Sequence, residues 1–123
     1  MPEIIESREN YLEIIYMLGK KDAVRAIDIV EKSGYSKPSV SNALKTLNKQ
    51  GYITIDEARH ITLTKEGREI AVAVYNRHQC ITEFFMKTLD IDEKTAEENA
   101  CKVEHVITDA LYDAIKKRLN ILT

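Results

Sequence analysis

Apolar residues recur along this chain with helical spacing in six stretches and with strand spacing in two. Tyr11, Ile14, Ile15 and Leu18 form one stripe, which predicts an amphipathic helix opening after Ser7 as N-cap and running to about Leu18. Asn10 and Glu13, three residues apart, sit together just off the edge of that stripe. A short helix is predicted over about 26–33, burying Ile29 and Val30. Ser33-Gly34-Tyr35-Ser36 then makes a tight turn, with Gly34 suited to a left-handed C′ position.

Ser36 is a good N-cap and Pro38 fits a first helical turn, so a third helix is predicted from about 37 to 50, with Val40, Leu44 and Leu47 as its buried face. Gly51 ends it. Tyr52-Ile53-Thr54-Ile55 and His60-Ile61-Thr62-Leu63 alternate, and Asp56-Glu57-Ala58-Arg59 between them reads as a hairpin loop. Thr64 caps a long fourth helix over about 65–88, with Ile70, Val74, Ile81 and Phe85 in one stripe. Asp92 caps a fifth helix of about 93–107, and Thr108 caps a sixth ending near Leu119. There is no internal repeat and no low-complexity segment.

The order α-α-α-β-β-α-α-α predicts a mainly α protein. A winged helix-turn-helix over residues 1–72 is followed by a helical domain over 73–123, with the long fourth helix linking them. On the third helix, the face opposite the core carries Pro38, Ser41, Asn42, Lys45 and Lys49, with Ser36, Lys37 and Ser39 at its N-terminal end. Small residues there let the backbone approach a major groove; Asn42 can read a base edge, while Ser and Lys groups serve phosphates. An ordinary solvated helix face would look similar, but it would not come with the hairpin. Arg59, at the tip of the wing, is a backbone or minor-groove contact or an idle surface arginine.

Charge sharpens this division. The net charge of −2 is unpromising for a nucleic-acid binder, yet residues 20–68 hold ten Lys/Arg against six Asp/Glu, a balance of +4. The remainder holds eight against fourteen, a balance of −6. A basic contact surface joined to an acidic module fits these numbers.

The acidic part carries the second piece of chemistry. On a helix, Cys101, Glu104 and His105 fall on one face within a turn of each other. A thiol, a carboxylate and an imidazole together can bind a transition metal; a surface helix that happens to carry Glu-His beside a Cys is the plain alternative. His78 lies within the apolar stripe of the fourth helix, where a lone histidine is usually a satisfied core residue. It nevertheless joins a set with Glu13 and the Cys-Glu-His group, and Glu97 lies one turn before Cys101 on the same face. The last two helices carry Val103, Val106, Ile107, Leu111, Ile115 and Leu119, more apolar surface than a two-helix unit buries on itself, which predicts dimerisation through them.

Several runs carry a family resemblance: Tyr11-Leu12-Glu13-Ile14-Ile15-Tyr16, Pro38-Ser39-Val40-Ser41, Leu63-Thr64-Lys65-Glu66-Gly67, Arg77-His78 and Cys101-x-x-Glu104-His105. In these, over nearly its whole length, the chain resembles the diphtheria-toxin-repressor and manganese-transport-regulator family of metal-dependent transcriptional repressors. The resemblance implies a homodimeric, cytoplasmic repressor of metal-uptake genes, in the short form without a C-terminal SH3-like domain. It implies binding to palindromic operators when Fe(II) or Mn(II) is bound between the two halves of the chain. Asn10, Glu13, His78, Cys101, Glu104 and His105 fall where the family places metal ligands. Asn10 stands where Asp or Met is usual, and Thr82 and Glu97 stand at ancillary-site positions that are Glu and His in the iron-responsive type. Glu13 is a manganese-type feature and Cys101 an iron-type one; the thiolate tilts the expected preference toward Fe(II).

Composition rules out little that these features leave open. No run approaches the roughly 18 apolar residues of a membrane span, Met1–Glu6 lacks the character of a signal peptide, and two cysteines make no disulfide framework. The competing functions are a metalloenzyme using the same ligands and a metal-independent winged-helix interaction module. Neither a spare general base nor a phosphate-holding Gly-rich loop supports the enzyme.

Overall fold

The computed structural model describes residues 8–122, so the expected cap at Ser7 lies outside the described residues. The elements are α1 (Arg8–Gly19), α2 (Ala26–Ser33), α3 (Lys37–Lys49), β1 (Ile53–Ile55), β2 (Ile61–Leu63), α4 (Lys65–Leu89), α5 (Glu93–Val103) and α6 (Asp109–Leu122). They divide into two compact units, one reaching Val72 and the other starting at Ala73.

The first unit is built by local signals that agree with one another. The Gly34 N–H bonds the Val30 carbonyl at 2.9 Å with φ of +78°, the left-handed termination of α2 that glycine adopts without steric cost. Ser36 then caps α3, its Oγ accepting from the Ser39 N–H at 3.2 Å. β1 and β2 pair antiparallel with Ile53 opposite Leu63, Thr54 opposite Thr62 and Ile55 opposite Ile61. Beside them, the Ile61 N–H bonds the Val24 carbonyl at 2.8 Å. The core joins Leu12, Ile15, Ile29, Val40, Leu44, Leu47, Ile53 and Ile61, from all three helices and both strands. This is a helix-turn-helix closed by a wing. Glu13, expected at the edge of the α1 stripe, is only 4% exposed.

Thr64 caps α4 as expected, its hydroxyl accepting from the Gly67 N–H at 3.2 Å and donating to the Gly51 carbonyl at 2.7 Å. Gly67 itself is buried against the Tyr52 carbonyl.

The second unit packs Ile81 of α4, Ala100 of α5 and Ile115 of α6 into a small core, with Cys80, Phe84, Phe85, Val103 and Ile107 against it. Burial pushes the Cys80 thiol above its ordinary range. Asp92 caps α5 by accepting from the Thr95 N–H at 3.0 Å, and its bonds to Thr95 hold the carboxyl below the usual range. The fifth helix is shorter than its expected extent to residue 107. It ends at Val103, and Glu104, His105 and Val106 form a turn in which the Val106 N–H bonds the Val103 carbonyl at 3.0 Å. The β-branched run Val106-Ile107-Thr108 favours helix weakly. Thr108 is taken as the next cap, its Oγ1 accepting from the Leu111 N–H at 3.2 Å.

Candidate metal centre and nucleic-acid interface

On α3 the buried positions are Val40, Leu44 and Leu47. Lys37, Pro38, Ser41, Asn42, Lys45 and Lys49 are all exposed, as is Ser36, while Ser39 is half-buried. The helix therefore offers solvent a row of amide, hydroxyl and ammonium groups. Two of its serines also hold the helix start: Ser36 Oγ donates to Ser39 Oγ at 3.0 Å in addition to its capping bond. Arg59 is exposed at the wing tip with φ of +69°. That region costs a non-glycine residue about 1–2 kcal/mol. The turn holds it through bonds from the Arg59 N–H to the Asp56 carbonyl at 3.0 Å and from the His60 N–H to Asp56 Oδ1 at 2.8 Å. On α1, Asn10 Nδ2 donates to the Tyr35 hydroxyl, and the Tyr11 and Tyr35 rings stack 5.4 Å apart.

In the second unit three ionisable groups come together. The Glu104 side chain is 0% exposed, with Oε2 lying 3.0 Å from His78 Nδ1 and Oε1 lying 3.3 Å from His105 Nε2. His78 and His105 are 13% and 5% exposed. Burying a carboxylate is costly unless positive charge or strong donors compensate it. The imidazoles supply polar partners, whereas a divalent cation held by the Glu104 carboxylate and the His78 ring would bring the compensating charge. Carboxylate and imidazole donors suit Mn(II), Fe(II) and Zn(II) alike, so these residues fit a transition-metal ion. The Thr82 hydroxyl donates to the His78 carbonyl at 2.8 Å, which commits it to the helix backbone.

Of the other expected ligands, Cys101 and Glu97 both lie on α5 and are exposed. α5 ends at Val103, and Glu104 and His105 sit in the turn beyond it, where Glu104 keeps a helical backbone and its N–H bonds the Ala100 carbonyl at 2.9 Å. The Glu104 carboxylate is buried there while Cys101 lies at the surface. Sequence reasoning missed Arg77, Asp109 and Tyr112, which surround the turn; only the pair Arg77-His78 gave any signal, and nothing in it pointed to the arginine.

Among the residues expected at a dimer surface, Val106 and Leu111 are 71% and 53% exposed. Val103 and Ile107 are partly buried against the unit's own core. Ile115 and Leu119 are buried within the chain itself, because α6 turns that face inward.

A winged helix-turn-helix with a basic recognition helix, followed by a helical domain holding a buried Glu-His-His cluster, defines a metal-responsive DNA-binding regulator. Comparison with known proteins names the family. Residues 3–61 match the iron dependent repressor N-terminal DNA binding domain, and residues 64–123 match the iron dependent repressor metal binding and dimerisation domain. The chain belongs to the iron dependent repressor family, which comprises transcriptional repressors and not enzymes. An uncharacterized HTH-type transcriptional regulator of Methanocaldococcus jannaschii is 34% identical over 113 residues, 90% of each chain. The iron-dependent repressor IdeR of Mycobacterium tuberculosis is 29% identical over 122 residues, 98% of this chain and 53% of its own length. The solved structure of the manganese regulator SloR is 31% identical with a TM-score of 0.81, covering 93% of this chain and 54% of that one. A manganese-dependent transcriptional repressor in complex with manganese is 27% identical with a TM-score of 0.85, covering 93% and 53%. The chain thus spans about half the length of the last three proteins.

Proposed function

We propose that this protein is a homodimeric, cytoplasmic repressor that binds palindromic operator DNA at metal-uptake genes when it holds a divalent transition metal. The observation that carries the reading is the fully buried Glu104 carboxylate between His78 and His105, inside the part of the chain that matches a metal-binding and dimerisation domain. Asn10, Glu13, Cys101 and Glu97 join the ligand set on the family resemblance. Ligands drawn from both halves of the chain make metal binding and the angle between the halves interdependent. A dimer must present its two recognition helices about 34 Å apart to fit successive major grooves. A preference for that spacing of about 1–3 kcal/mol gives roughly 5- to 150-fold in DNA affinity. Among the described residues no helix is long and apolar enough to cross a membrane.

The metal is Fe(II) or Mn(II). Oxygen and imidazole donors serve both, and the Cys101 thiolate tilts the choice toward Fe(II), since softer ligands favour the later metal. Relatives of both kinds exist, one named iron-dependent and another solved with manganese. The test is retardation of operator DNA by the purified protein, titrated separately with Fe(II), Mn(II) and Zn(II) in the absence of oxygen. Retardation only with metal supports the reading. Equal retardation without metal makes the protein a metal-independent module, and metal binding with no retardation under any condition favours a metalloenzyme. In the same assay Cys101→Glu keeps a ligand but hardens it, and is expected to move the preference toward Mn(II) while leaving metal-free binding unchanged. An unaltered metal ranking would remove the sulfur from the site and the iron preference with it.

The recognition helix makes a separate prediction. Asn42→Ala is expected to cost about 1–3 kcal/mol of operator binding and to relax base preference, as loss of a bidentate base contact does. Lys45→Ala is expected to weaken specific and non-specific DNA alike and to flatten the salt dependence. Operator titrations of both variants at two salt concentrations check this; parental binding in both would mean that another element reads the DNA.

A further inference from the structure

Arg77 stands immediately before His78 on α4, and its guanidinium is held by three separate groups. Nη1 donates to the Glu104 main-chain carbonyl at 3.4 Å, and Nη2 donates to Asp109 Oδ1 at 3.2 Å. The planar group lies over the Tyr112 ring, 4.9 Å from its centroid. These partners belong to the turn after α5 and to the first turn of α6. One side chain on the helix that carries His78 therefore clamps both ends of the segment that carries Glu104 and His105.

The energies of these contacts decide what the clamp does. Asp109 is 93% exposed, and an ion pair in that setting is screened by water and contributes little. The bond to Glu104 is long, and Arg77 shares the half-buried Tyr112 ring with Lys116. Such a set adds little to the stability of the fold. Its value is geometric, because a guanidinium projects several donors in one fixed plane and can engage a carbonyl and a carboxylate at once. A lysine ammonium is a point charge on a flexible stem and cannot span both. The turn it restrains lies beyond the end of α5 and is otherwise tied to that helix by main-chain bonds from the Glu104 N–H to the Ala100 carbonyl and from the Ile107 N–H to the Val103 carbonyl, both 2.9 Å.

We propose that Arg77 is a positioning residue for the metal centre: its fork to the Glu104 carbonyl and Asp109, braced on Tyr112, sets the Glu104-His105 turn against His78. This rests on the metal reading above. Groups that orient ligands from outside the ligand shell typically change metal affinity by about 10- to 100-fold when removed.

The experiment is calorimetric titration of Mn(II) into the metal-free full chain, with thermal melting of the same metal-free samples. Arg77→Lys, which keeps the charge and loses the fork, is expected to weaken Mn(II) binding by at least about tenfold with the metal-free melting temperature unchanged. Asp109→Asn is expected to weaken it in the same direction and to add nothing further in the Arg77→Lys background. Lys116→Gln removes the other cation over Tyr112, 4.7 Å from the ring centroid, and is expected to leave affinity at the parental value. Parental affinity in Arg77→Lys overturns the proposal. So does a loss of affinity accompanied by a matching fall in metal-free melting temperature, which marks Arg77 as part of the fold and no more. A parent chain that binds no Mn(II) and no Fe(II) overturns the metal reading itself, and the proposal with it.

Discussion

Glu104→Gln is expected to abolish the metal response while leaving a folded protein. Glutamine has the shape of glutamate and keeps one oxygen near His78 or His105, but a neutral amide is a poor ligand for a divalent ion. The metal-free fold loses little, since the glutamine amide fills the same space and can still donate to or accept from a neighbouring ring nitrogen. The change also removes a carboxylate of 0% exposure, whose burial is itself unfavourable. In the parent chain, metal at a hundred times its dissociation constant stabilises the native state by about 2.7 kcal/mol. The measurement is thermal melting with and without Mn(II) or Fe(II). The metal-free melting temperature is expected to match or exceed the parent's, and the upward shift on adding metal is expected to vanish. A shift of parental size would show that Glu104 does not hold the ion, and the functional reading would lose its principal support.

Gly67→Ala is expected to destabilise the DNA-binding unit by about 3 kcal/mol. Helix propensity alone predicts the opposite, since alanine inside a helix is favoured over glycine by about 1 kcal/mol. Packing reverses the sign. A Cβ at residue 67 would overlap the main-chain carbonyl oxygen of Tyr52 and lie 2.9 Å from its carbonyl carbon, and main chain cannot rotate aside as a side chain can. Tyr52 is also fixed at both ends: its N–H bonds the Leu47 carbonyl at 3.0 Å, and its carbonyl accepts from the Thr64 N–H at 3.1 Å. Relief of the overlap must pull β1 away from the start of α4 or break the Thr64 cap. For a unit of this size each 1 kcal/mol moves the melting temperature by about 4–8 °C, so a drop of more than 10 °C is expected. Denaturant titration gives the free energy independently; a change below 1 kcal/mol would mean that the helix start slides without cost.

The glycine illustrates how the sequence could be right about a motif and silent about its cause. Leu63-Thr64-Lys65-Glu66-Gly67 was legible as a family signature and Thr64 as a cap, but that Gly67 is required by the Tyr52 carbonyl, fifteen residues earlier, appears only in three dimensions. The same division runs through the candidate site. Helical periodicity and the caps Ser36, Thr64, Asp92 and Thr108 located the helix starts, and Gly34 ended α2, because these signals act between residues within about one turn of each other. The amphipathic pattern of α3 separated Val40, Leu44 and Leu47 from Asn42, Lys45 and Lys49 for the same reason. Its weakness lay where the local signal is faint. Only the weakly helix-favouring run Val106-Ile107-Thr108 follows the end of α5, so the periodicity ran on to residue 107.

Tertiary structure decided the remainder. Packing of the second unit buried Glu104 beside His78, a residue 26 positions away, while Cys101 lies exposed. Packing of α4, α5 and α6 drew Ile115 into the unit's own core, although its sequence pattern serves an intermolecular surface equally well. The order of the elements, the polarity of their faces and the family resemblance could be read from the chain's own residues, though not the end of α5. Which carboxylate is buried, what holds it and which apolar residues remain at the surface depend on contacts between segments far apart in the chain, whose strength comes from burial and geometry that no short-range pattern encodes.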